Sequence, residues 1–120
     1  MVNVHDYLTQ LKYIVIAVVD EDGKPWAVPV TVKKYHHGSF EWFSKADAVH
    51  SKAIARSPNI AITAFTTKQD ERGEYGFYAH AQARKTLSLP MDAVLYRAQV
   101  TEAWYNDARH IKTPIHKKDL

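Results

Sequence analysis

The chain contains no cysteine. That excludes disulfides, thiolate metal sites and a cysteine nucleophile, and is compatible with a reducing compartment. It also lacks a long hydrophobic run, since the longest, Tyr13 to Val19, is far too short to cross a bilayer. The opening MVNVHDYL has neither the basic nor the apolar region of a signal peptide. Together these absences predict a soluble, cytoplasmic protein with no membrane partner. The net charge is +3, yet no basic stripe is interleaved with aromatic residues, so no nucleic-acid partner is expected. There are seven histidines, but no H-x-x-x-H pair lies near a carboxylate and no zinc-like spacing occurs, so no metal site is expected. Repeats, low-complexity segments and an evident catalytic acid–base pair are likewise missing, and the catalytic residues stay unknown.

What is present fits one domain over residues 1–120, with a core at about 11–105 and a tail at 108–120 that reads as partly disordered. Val4, Tyr7, Leu8 and Leu11 recur at helical spacing, which predicts a helix over 3–12 with Asn3 as its cap. YIVIAVV (13–19) suits a buried strand, and Asp20 to Gly23 a hairpin turn. The next strand, Pro25 to Tyr35, alternates: Trp26, Val28, Val30 and Val32 face one way and Ala27, Pro29, Thr31 and Lys33 the other. Pro29 cannot donate to a ladder, which makes this an edge or bulged strand.

Further strands are predicted over Phe40 to Ser44, Asn59 to Thr67, Tyr75 to Leu87 and Val94 to Trp104. KQDERGE (68–74) reads as a charged loop and 88–92 as a loop containing Pro90. On the fifth strand Ala79, Ala81 and Ala83 share one face, and His80, Gln82 and Arg84 the other. Six strands at this spacing predict a closed or nearly closed antiparallel barrel. So many aromatics, with Trp26, Trp42 and Trp104 as core or interface residues, suggest more apolar surface than one such barrel buries, and hence a homodimer.

The most informative stretch is FEWFSKADAVHSKAIARSPNIAI (40–62), read as strand, polar turn, short helix and strand. Asp47 is the expected helix cap, Val49, Ala53 and Ile54 the expected buried side, and Ser57-Pro58 the stop. Its turn gathers Ser44, Lys45, Asp47, His50, Ser51 and Lys52 where unpaired backbone N–H groups favour an anion. Hydroxyls and cations at a helix start suggest a phosphate, and with it a nucleotide-like cofactor. The bland reading is also open: Ser51 and Lys52 as solvated helix residues, His50 as a packing residue, Ser44 as the polar end of a strand.

IVIAVVDEDGKPWAVPVTVKKYHHGSFEWFS followed by AVHSKAIARSPNIAITAF, with AQA at 81–83, resembles the FMN-binding split-barrel family typified by pyridoxamine 5′-phosphate oxidase. The resemblance spans roughly residues 11–105 and is one of strands and turns more than of catalytic residues. It implies a mainly β, six-stranded antiparallel split barrel with Greek-key features, an N-terminal helix and a short helix between strands three and four. It further implies a homodimer binding FMN between subunits, with a deazaflavin or haem as alternatives. The flavin ring would lie along Val30, Thr31 and Val32 and along Phe43 and Ser44. The phosphate would lie near Lys45, His50, Ser51 and Lys52, with help from Lys33. In the oxidase pattern a Ser-Arg-Lys run follows the turn, where this chain has Ala48, Val49 and His50. The oxidase's substrate-binding Arg-and-His motif is not matched around Arg109-His110. The implied function is an FMN-dependent oxidoreductase acting on a small molecule other than pyridoxamine phosphate. A non-catalytic flavin- or haem-binding module and a cofactor-free dimeric barrel are the alternatives, with His50 and His80 the first histidines to consider for haem.

Overall fold

The computed structural model describes residues 3–65, 76–106, 109 and 111–120. Helix α1 (Val4–Thr9) opens the chain, and the Asp6 backbone N–H donates to Asn3 Oδ1 at 3.1 Å, the expected cap. Strands β1 (Tyr13–Val19) and β2 (Pro25–Thr31) form a hairpin. Its turn is held by Asp20 Oδ1, which accepts from the N–H groups of Asp22 and Lys24 at 2.9 Å each, while Gly23 takes φ +77°. Short strand β3 (Lys34–His36) and β4 (Ser39–Lys45) form a second hairpin; helix α2 (Val49–Arg56) and β5 (Asn59–Phe65) follow. The long strands β6 (Gly76–Ser88) and β7 (Ala93–Asn106) make a third hairpin, and β8 (Lys112–Pro114) pairs with the end of β7.

All pairings are antiparallel, in the order β2-β1-β5-β6-β7-β4-β3. Two register shifts in the β6–β7 ladder, at His80/Ala81 and Lys85/Leu87, bend these strands so that the sheet wraps around its own core. The interior is filled by Ile14, Ile16, Ile62, Phe40, Trp42 and Phe77, each almost fully buried. The alanine face of β6, Ala79, Ala81 and Ala83, points inward as the alternation predicts and leaves room for the aromatic rings. Leu8 of α1 and Ala53 and Ile54 of α2 join the same core.

The architecture is the mainly β split barrel with two helices, but the strands differ in detail from the pattern in the sequence. The expected strand Pro25–Tyr35 is two strands. Val32 N–H still donates to Lys12 beside β1, whereas Lys33 N–H donates to Glu41 on β4. The chain therefore crosses from one end of the sheet to the other between residues 32 and 33. A single straight strand cannot pair in both places, so the pairing breaks there and leaves the sheet open as a split. The tail is also more ordered than its composition suggests. Besides β8 it contains a single 3₁₀ turn (Lys117–Asp119) and a buried Leu120, whose carbonyl oxygen accepts from His5 Nδ1 at 2.6 Å. The charged loop 68–74 and the last residues of the predicted fourth strand lie outside the described residues.

Candidate functional site

The split is where the two ends of the sheet approach one another. One edge of β2 has no strand partner, and residues 42–45 of β4 pair only with β7 on their other side. These two open edges lie alongside each other. Val30 is buried, Thr31 is exposed, and Val32 is half-buried against the core. Across the split Phe43 is 42% exposed, and Lys33 Nζ sits 5.5 Å from its ring centroid. An exposed aromatic beside two unpartnered strand edges can receive a flat ring on its apolar side and hydrogen-bond it through backbone groups.

At the end of β4 the chain turns into α2, which packs against β1 and β6. The helix begins differently from expectation. Ala48, not Asp47, is its N-cap, so no side chain caps the first turn. The buried side is His50, Ser51, Ala53 and Ile54, while Val49 is exposed. The cause is specific pairing: Ser44 Oγ and His50 Nε2 are hydrogen-bonded at 2.7 Å, and Ser51 Oγ donates to the Lys45 carbonyl at 2.7 Å. Each polar group enters the interior with a partner, which offsets its desolvation. Burial holds the His50 pKa below its usual 6.5, so the ring is neutral at pH 7.

The structure thus brings Ser44, Lys45, His50 and Ser51 together and sets Lys52 apart. Lys52 is exposed and lines a cleft with Asp20, Glu21, Asp22, Asp47 and Arg56. The side chains of His50 and Ser51 are already engaged, so neither presents a charge to a phosphate. The backbone does: among the described residues, the N–H groups of Val49, His50 and Ser51 have no acceptor. His50 and Ser51 are only 9% and 2% exposed, so two of these orphaned donors sit on buried residues. Uncapped donors at the positive end of a helix, with Lys45 beside them, fit an anionic group. The residues therefore fit a flavin phosphate through backbone more than through the side chains that the sequence singles out. The missing cap is the feature sequence reasoning overlooked; alanine directly before the helix is its only trace.

A second region of interest is the outer face of β2, β1 and β5. Tyr13, Val15, Ala17, Val19, Ala61 and Phe65 spread an apolar surface over it, with Tyr13, Val19 and Phe65 each more than half exposed. It continues into a small apolar pocket reaching Tyr78, His80 and Trp104. There His80 Nδ1 lies 3.4 Å from Glu102 Oε1, both side chains exposed. Trp26 is exposed on β2, Trp42 is core and Trp104 stacks on Tyr78. No group of three or more histidine, aspartate or glutamate side chains is placed to hold a metal ion, and no helix is long and apolar enough to cross a membrane, both among the described residues.

Fold and split together define a protein with the split-barrel fold. No family model matches the sequence, and no curated protein matches it. Solved structures match it closely in fold. A haem-binding protein from Mycobacterium smegmatis superposes with a TM-score of 0.77 at 12% identity, over 93% of this chain and 55% of that one, so this chain spans about half its length. A protein from Clostridium acetobutylicum related to general stress protein 26, of the pyridoxine phosphate oxidase family, gives 0.75 at 9% identity, over 98% and 94% of the two chains. An FAD-binding protein from Mesorhizobium loti gives 0.71 at 13% identity, over 84% and 89%. At these identities the likeness is one of fold, and the chain has the split-barrel fold that its strand pattern implies.

Proposed function

We propose that this chain binds FMN at the split and acts as a flavin-dependent oxidoreductase on a small molecule. The observation that carries this reading is the uncapped start of α2, with its three orphaned N–H donors, standing beside the open edges of β2 and β4. In it, the N–H groups of Val49, His50 and Ser51 and the Lys45 ammonium hold the phosphate. Thr31, Val32 and Phe43 flank the ring, and the Ser44–His50 pair fixes the helix start against β4. A bound flavin supplies the electron-transfer chemistry, while the protein supplies position and electrostatics. The flavin- and pyridoxine-phosphate-oxidase-type neighbours support the reading by fold.

The working form is a homodimer. The apolar face of β1, β2 and β5 is the surface a second copy covers, because it gathers exposed Tyr13, Val19 and Phe65 on one sheet face. A cytoplasmic setting agrees with the absence of cysteine.

A second reading, haem binding without turnover, rests on His80. Its Nδ1 is directed at Glu102, which leaves Nε2 uncommitted at the rim of an apolar pocket; a carboxylate partner of this kind orients metal-binding histidines. His50 does not serve this reading, since its Nε2 is hydrogen-bonded to Ser44.

An absorbance spectrum of the purified protein, before and after adding FMN and desalting, separates the readings. Retained flavin bands that bleach with NADH or NADPH support the oxidoreductase. A Soret band on adding haem, with no flavin retained, supports the second. A spectrum free of both refutes cofactor binding.

A further inference from the structure

Antiparallel pairing aligns the outer-face side chains of β3, β4, β7 and β6 in rows running across the strands. One row is Lys34, Glu41, Arg97 and Arg84; the next is His36, Ser39, Gln99 and Gln82. These eight residues, together with His37, line a concavity of about 550 Å³. Such a volume is that of an ordinary small-molecule site. None of its lining residues belongs to α2 or to the apolar pocket near Trp104.

The first row sets three cations against one carboxylate. Glu41 is committed to Arg97, whose Nε and Nη2 donate to Oε1 at 3.0 and 2.6 Å. Among the described residues neither Lys34 nor Arg84 has an acidic group within ion-pair distance. Arg84 moreover stands directly opposite Arg97, and like charges directly opposite in a ladder repel. The repulsion is relieved when an anion lies between the two guanidinium groups, which match its oxygens as paired donors. The second row is uncharged and rich in hydrogen-bonding groups. Gln82 Nε2 donates to Asn59 Oδ1, and Gln99 Nε2 to the carbonyls of Gly38 and Val100, and each amide keeps an oxygen able to accept. With the Ser39 hydroxyl and the His36 ring, these acceptors suit a hydroxylated ligand.

We propose that this concavity binds the phosphate monoester of a small hydroxylated metabolite. The phosphate sits between Arg84 and Arg97, the hydroxyl-bearing part lies along His36, Ser39, Gln99 and Gln82, and Lys34 adds to the attractive field. This goes beyond the flavin reading, since the site shares no residue with the start of α2.

The test is a titration of ¹⁵N-labelled protein, followed by amide NMR shifts at constant ionic strength, with ribose 5-phosphate, ribose and inorganic phosphate as probes. Saturable shifts are expected at Gln82, Arg84, Arg97 and Gln99, with ribose 5-phosphate binding more tightly than inorganic phosphate and ribose weakest. Arg84→Gln is expected to weaken ribose 5-phosphate by about tenfold, the loss of a charge-assisted hydrogen bond. Arg56→Gln, a cation on α2, leaves it unchanged. Absence of saturable shifts, shifts centred on α2, or equal binding by Arg84→Gln overturns the proposal. FMN uptake by Arg84→Gln, measured in parallel, stays at the parental level, so failure of either site is seen independently of the other.

Discussion

Acidification should destabilise this protein through His50, and the effect can be isolated. In the fold the ring is 9% exposed and its pKa is depressed by desolvation, whereas in the unfolded chain it titrates normally near 6.5. Between those two values the unfolded state binds one more proton than the folded state. Stability is then fully present above about pH 6.5, falls as pH drops toward the folded value, and levels off below it. The steepest contribution of one such group is about 1.4 kcal/mol per pH unit. Urea unfolding at closely spaced values from about pH 8 to about pH 5 measures it, with the other histidines contributing equally to parent and variant. His50→Gln removes the titrating group, so its curve is expected to lie flatter than the parent's throughout the acid limb. Ser44→Ala keeps the titrating ring but strips the 2.7 Å hydrogen bond. It should cost about 1–3 kcal/mol at neutral pH, because a buried ring nitrogen loses its partner, and should retain the acid slope. Parallel curves for parent and His50→Gln would refute the assignment of a buried neutral histidine.

Two further outcomes concern the turns. Met91 and Asp92 have φ of +65° and +60° in the β6–β7 connection, a region costly for a side chain such as methionine, so Met91→Gly is expected to stabilise by about 1 kcal/mol in the same urea assay. Gly38, at φ +90° between β3 and β4, faces Gln99 Nε2 and Leu120 Cδ1, each 3.3 Å from where a Cβ would stand. Gly38→Ala should therefore destabilise by about 1–2 kcal/mol and lower the melting temperature by several degrees.

Much of the barrel is legible in the sequence because its strands alternate. The inward alanines of β6 fall on one face as the alternation predicts, whereas β1, apolar throughout and read as a buried strand, buries only the face of Ile14, Ile16 and Val18. The break between β2 and β3 is subtler. Val30, Val32 and Tyr35 turn toward the core, and the odd spacing from 32 to 35 is the only mark that the alternation slips. The ordered tail escapes notice because Ile115 and Leu120 are isolated among charged residues, and their burial depends on β7 and α1, remote in sequence. At the site, an eight-residue helix is too short for its apolar spacing to fix its buried face. Val49 looks like core, yet His50 and Ser51 are drawn in by partners on β4 that only the folded chain brings near. The outer rows of β3, β4, β6 and β7 become a surface only once four strands are placed in register.

The central claim is that the start of α2 holds the phosphate of a flavin lying in the split. Paired titrations of FMN and riboflavin, read by quenching of flavin fluorescence, test it most directly, since the two ligands differ only in the phosphate. FMN is expected to bind at least about tenfold more tightly than riboflavin, as an anion meeting several unpaired N–H donors should. Equal affinities, or no quenching by either, would contradict it.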